Sequence, residues 1–202
     1  MADRLLYLII AAPFFVLGIV LHEYAHGWVA WKLGDPTARY SGRLTLDPRA
    51  HFDPLGALMF LISALVGIGF GWAKPVPVNF YNLKNPRRDT ILVSLAGAGA
   101  NILVASGCLV LYHIFRTFIP IPLLAVWFQI GFVLNLFLAL FNLVPIPPLD
   151  GSKVLMALLP YRYAYWYAQL EPFGFVLLLI FIMSPLFGAL VSLIERLVKF
   201  LL

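Results

Sequence analysis

Apolar residues run almost unbroken through 5–33, 54–70, 90–115, 123–143 and 173–202, separated by short polar or proline-marked stretches. A helix rises about 1.5 Å per residue, so a run of about 20 apolar residues spans a hydrocarbon core of about 30 Å. The runs 5–33, 90–115 and 123–143 are long enough to do so as single helices. Gly34-Asp35-Pro36 stops the first, Pro120 and Pro122 mark a tight turn, and Pro145, Pro147 and Pro148 break the run that ends at 143. Asp150-Gly151 then opens a helical stretch through Leu159. After the aromatic and polar segment 161–171, Ser184-Pro185 interrupts the last block, which is one kinked span or two short ones. Two stretches read differently. Residues 39–47 alternate partly, predicting one or two strands or an extended edge. Residues 71–79 carry Pro75 and Pro77, which forbid a helix and predict an extended interfacial segment.

The pattern predicts an α-helical polytopic membrane protein, with about 4–6 hydrophobic segments and a short β or extended re-entrant region after the first helix. A single membrane-embedded domain would occupy 1–202. Composition excludes the alternative class. The chain is 62% hydrophobic and 11% charged, against about 45–50% and 25% in soluble domains. The formal charge of +5 does not point to nucleic acid, because the basic residues lie in short connecting segments. Lys32, Arg39, Arg43 and Arg49 follow the first helix, and Lys74, Lys84, Arg87 and Arg88 precede the 90–115 run. The positive-inside rule puts both groups in the cytoplasm. Residues 54–70 must then enter the bilayer and return, or lie at its interface, without crossing, which their Gly-rich end at Gly67, Gly69 and Gly71 permits. The next two helices run outward and back, so Asp150 arrives on the cytoplasmic side, level with the first helix's polar residues. Cys108, the single cysteine, reads as a small buried hydrophobe. Arg4 precedes a retained first helix and not a secretory leader, since no small-residue cleavage site follows.

Those polar residues are His22-Glu23-Tyr24-Ala25-His26. Residues four apart share a helix face, so two imidazoles can hold one metal ion with Glu23 beside it as a general base. An ionisable group at mid-helix costs about 2.5–3.5 kcal/mol on the insertion scale, a cost that a bound cation offsets. A catalytic zinc takes three protein ligands and keeps a fourth position open. Asp150, beside Gly151 and after a proline-broken helix, is the foremost third ligand; Glu171 and Glu195 are alternatives. His51 reads as a solvated loop residue or cap, and His113 as interfacial.

The histidine motif, followed far downstream by Asn142-Leu143-Val144-Pro145-Ile146-Pro147-Pro148-Leu149-Asp150-Gly151, resembles the site-2 protease family of intramembrane zinc metalloproteases. The resemblance covers nearly the whole chain. It includes Gly97-Ala98-Gly99-Ala100-Asn101, which is similar to the family's Gly-x-x-x-Asn helix but has Ala98 where many members have proline. It implies zinc held by His22, His26 and Asp150, with Glu23 as general base. It also implies that Asn101 and Asn142 contact the peptide or the developing oxyanion; the alternative for both is interhelical hydrogen bonding. The implied substrate is a transmembrane protein, unwound and held by backbone pairing along 42–47 or 72–79. The implied form is the minimal core, without PDZ or CBS domain. A second function class, a membrane metal transporter or sensor, would use the same His and Asp cluster but needs several polar sites in series.

Overall fold

The computed structural model describes residues 2–65 and 71–202, so Gly67 and Gly69 of the expected re-entrant turn lie outside the described residues. The described chain is helical without strands. The elements are α1 (Ala2–Leu33), α2 (Thr37–Tyr40), α3 (Pro48–His51), α4 (Pro54–Leu65), α5 (Pro86–His113), α6 (Pro122–Asn142), α7 (Asp150–Leu158), α8 (Tyr161–Ala168), α9 (Gly174–Ile182) and α10 (Pro185–Leu201). Pro86, Pro122 and Pro185 occupy the first turn of their helices, where the missing N–H costs nothing and φ is already set. The prolines that punctuate the sequence therefore start helices as well as end them. Among the described residues, four stretches are long and apolar enough to cross a membrane: Leu6–Leu33, Pro86–Phe118, Pro122–Asn142 and Tyr161–Ile182.

α1, α5 and α6 form the central bundle. Trp127 Nε1–H of α6 donates to the Ile10 carbonyl at 3.0 Å and Asn135 Nδ2 to the Phe14 carbonyl at 3.4 Å, so α6 runs parallel to α1. His26 meets Val93 while His22 meets Asn101, so α5 runs the opposite way. Burial is inverted relative to a water-soluble protein. Asn101 and Asn135 are 1% and 0% exposed, whereas Leu103 and Leu123 are 75% and 77% exposed. That is the distribution expected when the surrounding solvent is acyl chain.

Between α1 and α5 the chain folds back along α1. Asp35 is fully buried and accepts from Asn79 N–H at 2.7 Å, Asn82 Nδ2 at 2.9 Å, Thr37 N–H at 3.2 Å and the Thr37 hydroxyl. Lys84 N–H donates to the Leu33 carbonyl at 3.3 Å. Arg43 reaches the Lys74 carbonyl at 2.8 Å, and Lys74 N–H donates to the His51 carbonyl at 3.0 Å. The two basic loops thus lie at one end of the bundle. Gly56, in α4, lies against Trp72: a Cβ on Gly56 would fall 2.0 Å from the Trp72 carbonyl oxygen.

Four segments depart from the pattern's expectations or sharpen them. Residues 39–47 form no strand, because the Asp35 carboxylate captures Thr37 and sets a helical turn that already contains Arg39 and Tyr40. Gly42, at φ +67, then turns the chain, and the amides of Arg43 and Leu44 both return to the Ala38 carbonyl. Residues 71–79 are non-helical, as the prolines require, but pair with side chains and loops instead of a neighbouring strand. The aromatic segment 161–171 is helical at α8, and the last block is two helices, α9 and α10, split at Met183-Ser184.

Candidate metal centre

His22 and His26 sit one turn apart on the face of α1 turned toward α5 and α7, and both are 8% exposed. Asp150 is the first residue of α7, where the helix N-terminus favours a carboxylate. It reaches the histidines because the chain reverses tightly after α6. A Cβ on Gly151 would lie 2.1 Å from the Leu143 carbonyl oxygen, so only glycine lets α7 start this close to the end of α6. Arg87 on α5 ties the far end of α7 by donating to the Leu159 carbonyl at 2.7 Å.

Three atoms converge. His22 Nε2 and His26 Nε2 each lie 3.0 Å from Asp150 Oδ2 and 3.0 Å from each other. The far side of each ring fixes what these atoms can be. His22 Nδ1 is 2.6 Å from Asn101 Oδ1, and His26 Nδ1 is 2.7 Å from the Val93 carbonyl oxygen. An oxygen of either kind only accepts, so each ring carries its proton on Nδ1 and turns an unprotonated Nε2 inward. Two imidazole lone pairs and a carboxylate oxygen then face one another in a buried site, and a single proton could bridge only one of the three pairs. A divalent cation satisfies all three. Zinc–ligand bonds of about 2.0–2.1 Å place tetrahedral ligand atoms about 3.3 Å apart, close to the spacing found here. Gly97 closes the cluster from α5, since a Cβ there would lie 2.5 Å from both His22 Cε1 and His26 Nε2. Among the described residues His22, His26 and Asp150 are the group able to hold a metal.

Glu23 is half-buried beside them, and its Oε2 accepts from the Val76 N–H at 2.7 Å. The non-helical 71–79 segment thereby holds the carboxylate in place. Both open on a cavity of about 680 Å³, lined also by Asn142, Lys153, Glu171 and Phe175. Lys153 Nζ is 3.8 Å from Asp150 Oδ1, the oxygen turned away from the histidines.

The remaining candidates separate clearly. Asn101 touches the cluster through His22, and its amide donors go to the Gly18 carbonyl at 3.1 Å and Asn135 Oδ1 at 3.2 Å. Both protons are therefore committed away from the cavity. Asn142 lines the cavity and donates to the Leu138 carbonyl one turn back at 2.9 Å. Glu171 lines the cavity without joining the cluster, and Glu195 is exposed on α10. His51 is buried against the Thr45 carbonyl, unlike the solvated loop residue expected, and His113 meets the Leu201 carbonyl at the other end of the bundle. Asn135 had no part in the sequence reading, because a lone asparagine in an apolar run carries no spacing signal.

Comparison with known proteins gives one consistent result. A model described as "Peptidase family M50" matches residues 117–185, a stretch that holds Asn142 and Asp150 but not the histidine pair. "Putative zinc metalloprotease YwhC" of Bacillus subtilis is 40% identical over 199 residues, covering 91% of this chain and 87% of that protein. "Putative zinc metalloprotease Rip2" of Mycobacterium tuberculosis is 35% identical over 174 residues, 84% of this chain and 65% of its own length. An archaeal relative, "Putative zinc metalloprotease MJ0611" of Methanocaldococcus jannaschii, is 35% identical over 139 residues, covering 68% and 64%. No solved structure gives a match.

Proposed function

The chain belongs to peptidase family M50, the site-2 proteases, and from that premise we propose that it cuts peptide bonds in or next to the membrane-spanning segments of other membrane proteins. It is a zinc metalloprotease of the site-2 type. In this reading His22, His26 and Asp150 hold the zinc and Glu23 is the general base. The observation that carries it is the meeting of two imidazoles and a carboxylate from 128 residues away, beside Glu23, on a cavity inside an apolar bundle.

Bound zinc supplies a Lewis acid and lowers the pKa of a water it holds toward about 7. Glu23 accepts the proton of the attacking water and returns it to the departing amine, with the Val76 N–H keeping its carboxylate turned to the cavity. Asn142 contributes a cavity-facing amide able to donate to the oxyanion, a contribution of about 2.7–4 kcal/mol where such donors have been removed elsewhere. Asn101 lines the same cavity and holds His22 Nδ1 through its Oδ1.

A membrane helix has all its backbone groups paired and must be unwound before hydrolysis. The 71–79 segment, non-helical and lining the cavity through Trp72, Ala73 and Val76, offers backbone to receive the unwound strand. The 54–70 passage is re-entrant in this reading, which the closeness of Gly56 to Trp72 supports. The chain acts as one membrane-embedded domain in this reading, with the site opening to the cytoplasm, an orientation that the two basic loops at its end of the bundle favour.

Glu23→Gln tests the assignment in purified full-length protein with a membrane-protein substrate in liposomes. It should keep one zinc per chain and lose cleavage by about 10²–10⁴-fold, whereas Asp150→Ala should lose the zinc. Cleavage sites, mapped by mass spectrometry, should fall in or at the edge of the substrate's apolar segment. Undiminished cleavage by Glu23→Gln, or zinc flux across the liposome without proteolysis, would overturn the reading.

A further inference from the structure

Asn135 is the most deeply buried polar side chain of α6, at 0% exposure. A buried amide is tolerated only when its donors and acceptor are matched, and here the matching has a direction. Nδ2 donates to the Gly131 carbonyl at 3.0 Å and to the Phe14 carbonyl at 3.4 Å. Carbonyls only accept, so the NH₂ end must face them and Oδ1 must face away, toward Asn101. Asn101 Nδ2 lies 3.2 Å from that oxygen and also donates to the Gly18 carbonyl at 3.1 Å. With its NH₂ end so held, Asn101 presents Oδ1 to His22 Nδ1 at 2.6 Å. Gly18 lets the two amides close on α1, since a Cβ there would lie 2.3 Å from Asn135 Oδ1 and 3.1 Å from Asn101 Nδ2.

We propose that Asn135 is a positioning residue that, through Asn101, sets the tautomer of His22, so that Nε2 is presented to the metal without a proton. The inference rests on the reading of His22, His26 and Asp150 as the zinc site. It also contains an asymmetry. His26 is set by the main-chain carbonyl of Val93, which no side-chain substitution removes, whereas His22 depends on a relay of two amides. Without Asn135, one Asn101 proton is stranded in an apolar interior. Only the Gly18 carbonyl then opposes a turn of the Asn101 amide, and in the turned state its NH₂ faces His22 and moves the ring proton to Nε2, where it competes with the metal. Partners behind a metal ligand typically account for 10–100-fold in affinity.

The test uses the full-length chain, labelled with ¹⁵N-histidine, in its metal-free form at mildly alkaline pH and then titrated with zinc. In the wild type both rings should be protonated on Nδ1. In Asn135→Ala, His22 should show the second tautomer while His26 does not change, and zinc affinity should fall 10–100-fold. Asn135→Asp should restore affinity to within a few-fold of wild type, because a carboxyl still presents an acceptor oxygen to Asn101 Nδ2. A wild-type His22 protonated on Nε2 would overturn the proposal whether or not the alanine variant folds. So would a folded Asn135→Ala with unchanged tautomer and affinity, or an Asn135→Asp no better than alanine. His22→Ala controls the premise separately: if it binds zinc like the wild type, the site assignment fails, not the relay.

Discussion

At Gly97 two effects oppose each other. Glycine inside a helix costs about 0.5–1 kcal/mol relative to alanine, so Gly97→Ala ought to stiffen α5. The added methyl, however, would lie 2.5 Å from His26 Nε2 and 2.6 Å from His22 Nε2, and the rings must yield. The variant should therefore keep its helical content and bind zinc at least about 10-fold more weakly, as read by metal analysis of the purified protein; wild-type zinc content would contradict the close approach. The members of the candidate metal cluster were legible. Four-residue spacing in α1 marks the histidines, and the proline-broken approach to Asp150 marks a carboxylate freed from a regular span. Gly18 and Asn135 were not, because they matter only where three helices meet and neither has a sequence neighbour that advertises it.

Asp35 does for the loops what Asp150 does for the helices. Burial opposes ionisation of its carboxyl, but hydrogen bonds from Thr37, Asn82 and Asn79 outweigh it and hold the group below its usual value of 3.8. A carboxyl with a lowered folded-state pKa stabilises fully above the unfolded value, and that stabilisation is lost as pH falls through the folded value. The wild type should lose more thermal stability than Asp35→Asn between about pH 5 and about pH 3. At neutral pH Asp35→Asn should itself be less stable by about 2–4 kcal/mol. Equal acid sensitivity of the two proteins in a thermal melt would remove Asp35 from that role. The same carboxylate explains where reading by alternation fails. The pattern of 39–47 suits a strand, yet a local turn closed by Asp35 satisfies the backbone first. The five aromatics of α8 read as a connecting stretch, because a helix at a boundary shows no clean apolar face to a periodicity test.

For the molecule as a whole, inverted burial was legible from composition, since so apolar a chain has too few polar residues to cover itself. That 54–70 returns without crossing is an expectation carried by charge. The fold makes it testable. Tyr40 and Tyr81, 83% and 97% exposed, lie at the end with the basic loops, and Phe118, 78% exposed, lies at the other. In a Cys108→Ala background, cysteines at Tyr40 and Tyr81 should react with an impermeant reagent from the same side of a sealed vesicle, and one at Phe118 from the opposite side. Labelling of Tyr40 and Tyr81 from opposite sides would mean that the intervening segment crosses. The order of the cluster along the chain also bears on biogenesis. At about 5–20 residues per second, a ribosome takes on the order of 6–25 s to make the 128 residues that separate His22 from Asp150. Throughout that interval the newborn chain has its histidine pair threaded into the bilayer with nothing to clasp. The candidate metal cluster is therefore incomplete until the final third of the chain is made.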